Sequence, residues 1–352
     1  MKIQKVATMV AAATVFALAS TASPALTFSA FVSGGDLATA LGNNATIGFS
    51  YAGDRFVGSV YFGTNNNQLY QTNLTGGNVQ LFGSPIAGFS GEIYVSASLG
   101  LGGYGPRDVY AGSEALGTLV RLAHDGSSQG VFASGLVGGV RSIAFDPFGL
   151  YGNQMIVATR AGNVYRVSNT GVATLLANVG EDTEGISFAP DVFGTIPFGT
   201  LVVASEGSGA LRSITPSGIV NQFATVPSAE MLSFVPLSMT GANPLEGFYS
   251  ANFPNNVVHA PAGDFLGRLG DIVVTGEATH DVTRVHWDGS SFVTSSLGTF
   301  PGQPEDGIFV TAAIINPCER PNACAAPEPA SAALVATALG AFIATRRRRR
   351  LV

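Results

Sequence analysis

Short apolar runs, broken by Gly, Asn, Asp and Ser, recur along the chain about every 46 residues, the spacing of a repeat architecture. Five of them align without gaps: Val60–Asn65, Val109–Glu114, Met155–Arg160, Leu201–Glu206 and Ile272–Glu277. A second run follows each: Leu69–Thr72, Leu119–Leu122, Val164–Val167, Leu211–Ile214 and Val282–Val285. Next comes a pair ending in glycine: Thr75-Gly76, Asp125-Gly126, Thr170-Gly171, Ser217-Gly218 and Asp288-Gly289. Glycine there supplies the positive φ of a tight hairpin. An outer run comes after the turn, as in Val172–Leu176 and Ile219–Phe223, and a further run precedes the first: Ser142–Phe145, Gly185–Phe188, Met231–Phe234 and Gly307–Val310.

Four hairpin-joined strands per repeat make one blade of a β-propeller. The pattern therefore predicts an all-β chain of six four-stranded blades. Five are read directly. The sixth is expected from the two ends, with outer strands from Phe31–Leu41, which is similar to Arg166–Leu176, and the innermost strand from Gly307–Val310. Closure of this kind leaves no exposed sheet edge. A β-sandwich or an open solenoid is the competing arrangement. The fifth blade carries a surplus, residues 236–265, rich in Asn, Pro and Gly, which reads as a long loop.

The ends follow other rules. Lys2 and Lys5, the apolar run Val6–Ala19 and the small residues Ser20–Ala25 have the layout of a secretory signal peptide, with a membrane anchor as the plainer reading. Near the other end Pro327-Glu328-Pro329 precedes an apolar run, Ala330–Ala344, and a basic cluster, Arg346–Arg350, which favours the cytoplasmic side of a membrane. The expected division is a leader over 1–25, the propeller over 26–317, a linker over 318–326 and a tail over 327–352. The linker holds Cys318 and Cys324, for which an oxidising compartment makes a small disulfide loop the default; a metal site is disfavoured, because two thiols without a nearby His are half a site.

Of 17 basic residues in the chain, two lysines fall in the leader and five arginines in the tail; of 23 acids, only Glu328 is lost with them. The remaining residues, 26–326, include ten basic and 22 acidic ones, no lysine, and carry a net charge near −12. Nucleic acid is excluded as a partner on this balance. A cation, or a ligand such as an extracellular polysaccharide or protein, is the expected class.

Charged residues are only 11% of the chain, so their placement is informative. Arg141, Glu184, Glu230 and Asp306 stand two positions ahead of the first apolar residue of an inner run, and Asn65, Glu114, Arg160, Glu206 and Glu277 end the next run. In a blade these two places share one face, so all are expected around one mouth of the central channel. Glu184, Asp306 and Glu230 are the candidate ligands for a hard cation such as Ca²⁺, the cofactor such carboxylates suit. The competing reading is a solvated face, with Arg141 and Arg160 paired to Glu184 and Glu206. No catalytic constellation is expected. Gly100–Gly105 matches a dinucleotide pattern but leads into a strand, and Gly126–Gly130 matches a nucleophile elbow but sits on a hairpin. His124, His259, His280 and His286 have no metal-ligand spacing.

The tail's three parts, in that order, resemble the PEP-CTERM sorting signal of Gram-negative bacteria. The resemblance implies export with signal peptidase as the first partner, transient inner-membrane anchoring through the C-terminal helix, and cleavage near Pro327, Glu328 and Pro329 by an exosortase-type protease. Release to the cell surface or extracellular matrix would follow, with a binding or structural role. The openings Glu184-Gly185-Ile186 and Glu305-Asp306-Gly307-Ile308 resemble those of six-bladed calcium-dependent lactonases of the gluconolactonase class. That resemblance implies an alternative role as a lactone or ester hydrolase, with Glu184 and Asp306 in the family's Glu and Asp positions and no Asn in the matching register.

Overall fold

The structure is a computed structural model, and it describes residues 25–315. It contains six four-stranded antiparallel sheets. The chain opens with β1 (Ser29–Val32) and α1 (Gly34–Leu41). The first full blade is β2 (Thr46–Tyr51), β3 (Phe56–Val60), β4 (Leu69–Thr72) and β5 (Gln80–Phe82), and the second is β6 (Ile93–Ala97), β7 (Val109–Ser113), β8 (Leu116–Leu122) and β9 (Gln129–Ser134). The third is β10 (Val140–Phe145), β11 (Met155–Thr159), β12 (Asn163–Val167) and β13 (Ala173–Asn178). The fourth is β14 (Ile186–Phe188), β15 (Leu201–Ala204), β16 (Ala210–Ile214) and β17 (Val220–Thr225).

The fifth blade departs from this order. Its first strand, β18 (Ala229–Phe234), is followed by a hairpin, β19 (Gly247–Phe253) and β20 (Asn256–Pro261), that leaves for the neighbouring sheet. The chain then returns to complete the fifth blade with β21 (Ile272–Gly276), β22 (Asp281–Trp287) and β23 (Phe292–Thr299). The sixth blade is assembled from three distant segments in the order β1, β20, β19 and β24 (Gln303–Val310). The inner strands β2, β6, β10, β14, β18 and β24 touch their neighbours in turn, and β24 touches β2, so the ring closes around a channel. The short α2 (Ala312–Ile315) ends the described chain.

The all-β propeller of six blades is thus the observed architecture, and three local expectations are corrected. Residues 236–265 are not a loop: they carry the two middle strands of the sixth blade. Only β1 of Phe31–Leu41 is extended; the rest is α1, capped by Ser33 Oγ accepting from Asp36 N at 3.0 Å, with Leu37 and Leu41 buried one turn apart. In the first blade the strand is Phe56–Val60, not Val60–Asn65, because the β3–β4 connection is longer than its counterparts. All five turn glycines have positive φ, from 74° to 103°. At Gly171 an added Cβ would also lie 1.8 Å from the Phe132 carbonyl oxygen of the preceding blade, so no other residue fits that turn.

Packing between blades is apolar; strands nearer the channel such as β2, β7 and β11 are buried on both faces, while the outermost strands β5, β9, β13 and β17 are largely exposed. Two loop tyrosines add fixed polar ties. Tyr104, on the β6–β7 connection, donates to the Val167 carbonyl and accepts from Met155 N at 2.9 Å. Tyr151, one blade on, does the same to Ile214 O and Leu201 N. Each hydroxyl satisfies a carbonyl and an amide of the next sheet that would otherwise be buried unpaired. No helix among the described residues is long and apolar enough to cross a membrane. The leader, Cys318, Cys324, Pro327–Pro329 and the apolar run behind them lie outside the described residues.

Candidate functional site: an acidic channel mouth

Each inner strand begins at one end of the channel, so the residues that open the strands meet there. β10 brings Arg141, β18 brings Glu230 and β24 brings Glu305 and Asp306; the turn before β14 brings Glu184 and the one before β6 brings Glu92. The strands next to them end at the same mouth, adding Glu114, Arg160, Glu206 and Glu277.

Arg141 is the hub. It is 7% exposed. Its guanidinium contacts Glu92, lies 3.5 Å from Glu114 and 3.4 Å from Glu184, and donates to Asp182 at 3.1 and 3.2 Å. It also donates to Tyr94 Oη at 3.2 Å, and that hydroxyl lies 2.5 Å from Glu184 Oε2 and 3.0 Å from Glu92 Oε2. Burial works against the arginine's charge, but Glu184 and Asp182 outweigh it and raise its pKa. Arg160 adds a more exposed positive charge 3.5 Å from Glu114.

The acids outnumber these two arginines. Glu230 is 3% exposed, and its Oε2 has no hydrogen-bond partner. Burial first, then the charges of Glu184 and Glu305, hold its carboxyl well above the usual range. Glu305 is pushed up the same way, by burial and then by Glu184 and Glu277. Glu277 rises to about 8 through burial and the neighbouring Glu206. Glu184 is raised by burial, with Arg141 pulling the other way. Asp306 rises to about 7 because burial outweighs its backbone donors, which include Gly307 N at 2.9 Å and Phe49 N at 3.3 Å.

Carboxylate oxygens of Glu184, Glu206 and Glu230 lie within 4.8 Å of one another. Among the described residues, these three are the group that could hold a metal ion. Glu184, Glu230 and Asp306 all line one small cleft of about 60 Å³. Asp306, however, is not in the close trio, and its oxygens are engaged by strand amides. Glu206, expected on the rim, takes the third place. Asn65 is used differently: its Nδ2 donates to Leu41 O and ties the β3–β4 connection to the end of α1. Glu92, Tyr94, Asp182 and Glu305 join the site without having been singled out as ligands. Aligning the opening of β6 with the other inner strands is the signal that would have found Glu92 and Tyr94.

None of the four histidines takes part. His259 stacks on Tyr249 inside the sixth blade with its pKa lowered by burial, and His124 lies 3.4 Å from Asp54. Gly100–Gly105 forms a tight turn before β7, and Gly126–Gly130 a hairpin between β8 and β9.

No protein-family model matches the chain, and no curated protein matches it. Solved structures do. The PQQ-bound form of an aldose sugar dehydrogenase from Streptomyces coelicolor matches with a TM-score of 0.51 and 13% identity, over 81% of this chain and 90% of that one. A streptogramin B lyase matches at 0.49 and 9%, over 79% and 74%. A catalytically inactive virginiamycin B lyase from Staphylococcus aureus with quinupristin matches at 0.49 and 13%, over 76% and 75%. At these identities the dehydrogenase match speaks for the fold alone, in agreement with the strand pairing described above.

Proposed function

We propose that this chain is an exported propeller, delivered to the cell surface or extracellular matrix, that binds a hard divalent cation at its acidic mouth and presents it to an oxygen-rich ligand such as a polysaccharide. The observation that carries the binding reading is the Glu184–Glu206–Glu230 trio, with an unpartnered, buried Glu230 oxygen among its carboxylates. Carboxylate oxygens are the ligands that Ca²⁺ takes, in sets of about six to eight. Three side chains leave room for further oxygens from water or a bound ligand. A bound cation would also offset the repulsion that raises the Glu230 carboxyl.

Calorimetric titration of the full chain in nanodiscs of zwitterionic lipid tests this at pH 8. One equivalent of Ca²⁺ is expected to bind with a micromolar dissociation constant, and Glu230→Gln is expected to weaken it at least tenfold. No heat at millimolar calcium overturns the cation reading. The export half rests on the tripartite tail, residues 327–352. In a Gram-negative host that makes an exosortase, the wild-type chain is expected in the medium or on the surface, trimmed near Pro327 by mass spectrometry. Glu328→Ala is expected to stay full-length in the membrane fraction. Equal processing of both chains overturns the sorting assignment.

A further inference from the structure

The channel has a second half. Beyond the acidic cleft the same inner strands continue into a chamber of about 250 Å³. Its walls include Phe49 of β2, Val95 of β6, Phe145 of β10, Phe234 of β18 and Phe309 of β24, with Ile314 of α2 beside them. The change of character follows from the strands themselves: five of the six inner strands, all but β2, open on a charged residue at the mouth, and their far ends carry mainly aromatic or aliphatic ones. Asp306, Ile143, Ile186, Ser233 and Gly307 line both spaces, so the chamber adjoins the acidic cleft at Asp306.

We propose that this chamber is a binding site for a small primary ammonium compound carrying an apolar ring or short chain, with the ammonium group at Asp306 and the apolar body among the phenylalanines. Drug-sized ligands occupy pockets of about 300 Å³ and more, so a chamber of 250 Å³ takes a single ring with a short arm. Mainly apolar walls, interrupted by Ser50, Ser96, Ser187, Ser233 and Tyr51, with Asp306 as the one carboxylate at the inner end, fix both the ligand's orientation and its charge. No basic residue is among those lining the chamber. The base nearby, Arg107, stacks on the ring of Tyr51 at 5.4 Å and donates to Ile314 O. The negative potential of the mouth extends the preference for a cation, since Glu184 lies close enough to raise Asp306. Burial holds that carboxyl at about 7, and an ammonium partner favours its ionised form.

The site does not depend on the divalent-cation reading, because its walls and its carboxylate are distinct from the Glu184–Glu206–Glu230 trio. The test is calorimetry on the full chain in nanodiscs at pH 8 with EDTA present and empty nanodiscs as the blank. The probes are phenethylamine and its uncharged counterpart 2-phenylethanol. Phenethylamine is expected to bind one to one, at least tenfold tighter than the alcohol. Asp306→Asn is expected to erase that preference while leaving alcohol-level binding. Ala97→Phe, which fills the chamber from β6, is expected to abolish binding of both probes and covers the case in which Asp306→Asn does not fold. Equal affinity for amine and alcohol, no binding of the amine, or unchanged binding by Ala97→Phe overturns the proposal.

Discussion

Replacing Arg141 with methionine should unfold the protein more easily than any other single change at the channel mouth, by about 3–5 kcal/mol at pH 8. The methionine keeps much of the side chain's bulk and removes only the guanidinium. What remains is a set of carboxylates, Glu92, Asp182 and Glu184, that faced it at contact distances and now repel one another. Glu184 is almost wholly enclosed, so water does little to screen it. For a domain of this size the loss corresponds to a fall in melting temperature of roughly 10 °C, by the usual few degrees per kcal/mol. Differential scanning calorimetry at two pH values gives the decisive reading. The deficit should shrink at pH 5, where the orphaned acids take up protons, and should shrink with added calcium at pH 8. A deficit of equal size under all three conditions would mean that Arg141 acts through packing instead.

The second large effect needs no mutation. Glu230, Glu305, Glu277 and Asp306 all have folded pKa values above those of an unfolded chain, the last two at about 8 and about 7. Between roughly pH 4.5 and 8 the folded protein therefore binds more protons than the unfolded one. The stability tied to these groups is complete below the unfolded carboxyl pKa and is lost as pH rises through 7 and 8. Other acids work in the opposite sense: Asp54, held low by Arg55, and Glu246, whose burial is outweighed by its hydroxyl and amide donors, lose their contribution as pH falls. Stability should accordingly peak near pH 5 and fall toward pH 8.5 by an amount on the order of a few kcal/mol once partial exposure of Glu277 is allowed for, and the melting temperature should fall with it. Saturating calcium should flatten the alkaline limb, because a cation favours the ionised carboxylates. A melting temperature that rises steadily from pH 5 to 8.5 without calcium would contradict the burial of these acids.

The blades were legible wherever a strand pair and its glycine turn lie close in sequence. Leu119–Leu122, Val164–Val167 and Leu211–Ile214 all fall within observed strands, and the turn glycines all have positive φ. Legibility failed where pairing is decided by topology. The β19–β20 hairpin looks like loop by its Asn, Pro and Gly content, and its apolar residues Phe248, Tyr249, Val257 and Val258 find their partners in segments far along the chain. Phe31–Leu41 failed for a different reason: it matches Arg166–Leu176 position by position at Val-Ser and Ala-Thr, but the spacing of Leu37 and Leu41 is helical. At the mouth, position along the strand was enough to gather Arg141, Glu184, Glu206 and Glu230. It could not say which oxygens approach, because that depends on how adjacent blades tilt. The engagement of Asp306 by Phe49 and Gly307 amides is of that kind.

The threaded sixth sheet has a consequence for how the molecule comes into being. Among the described strands β1 is made first, yet its one partner there, β20, lies more than 200 residues later, and β24, at the far edge of that sheet, is made last. Until then a nascent chain holds β1 without its partner and an unclosed ring. Blades one to four, whose pairings are local, are able to form early, and the seam waits for β24. Because the hairpin that fills the seam is rooted between β18 and β21, sealing the circle also fixes the fifth blade in place. The last two blades therefore zip up as one event.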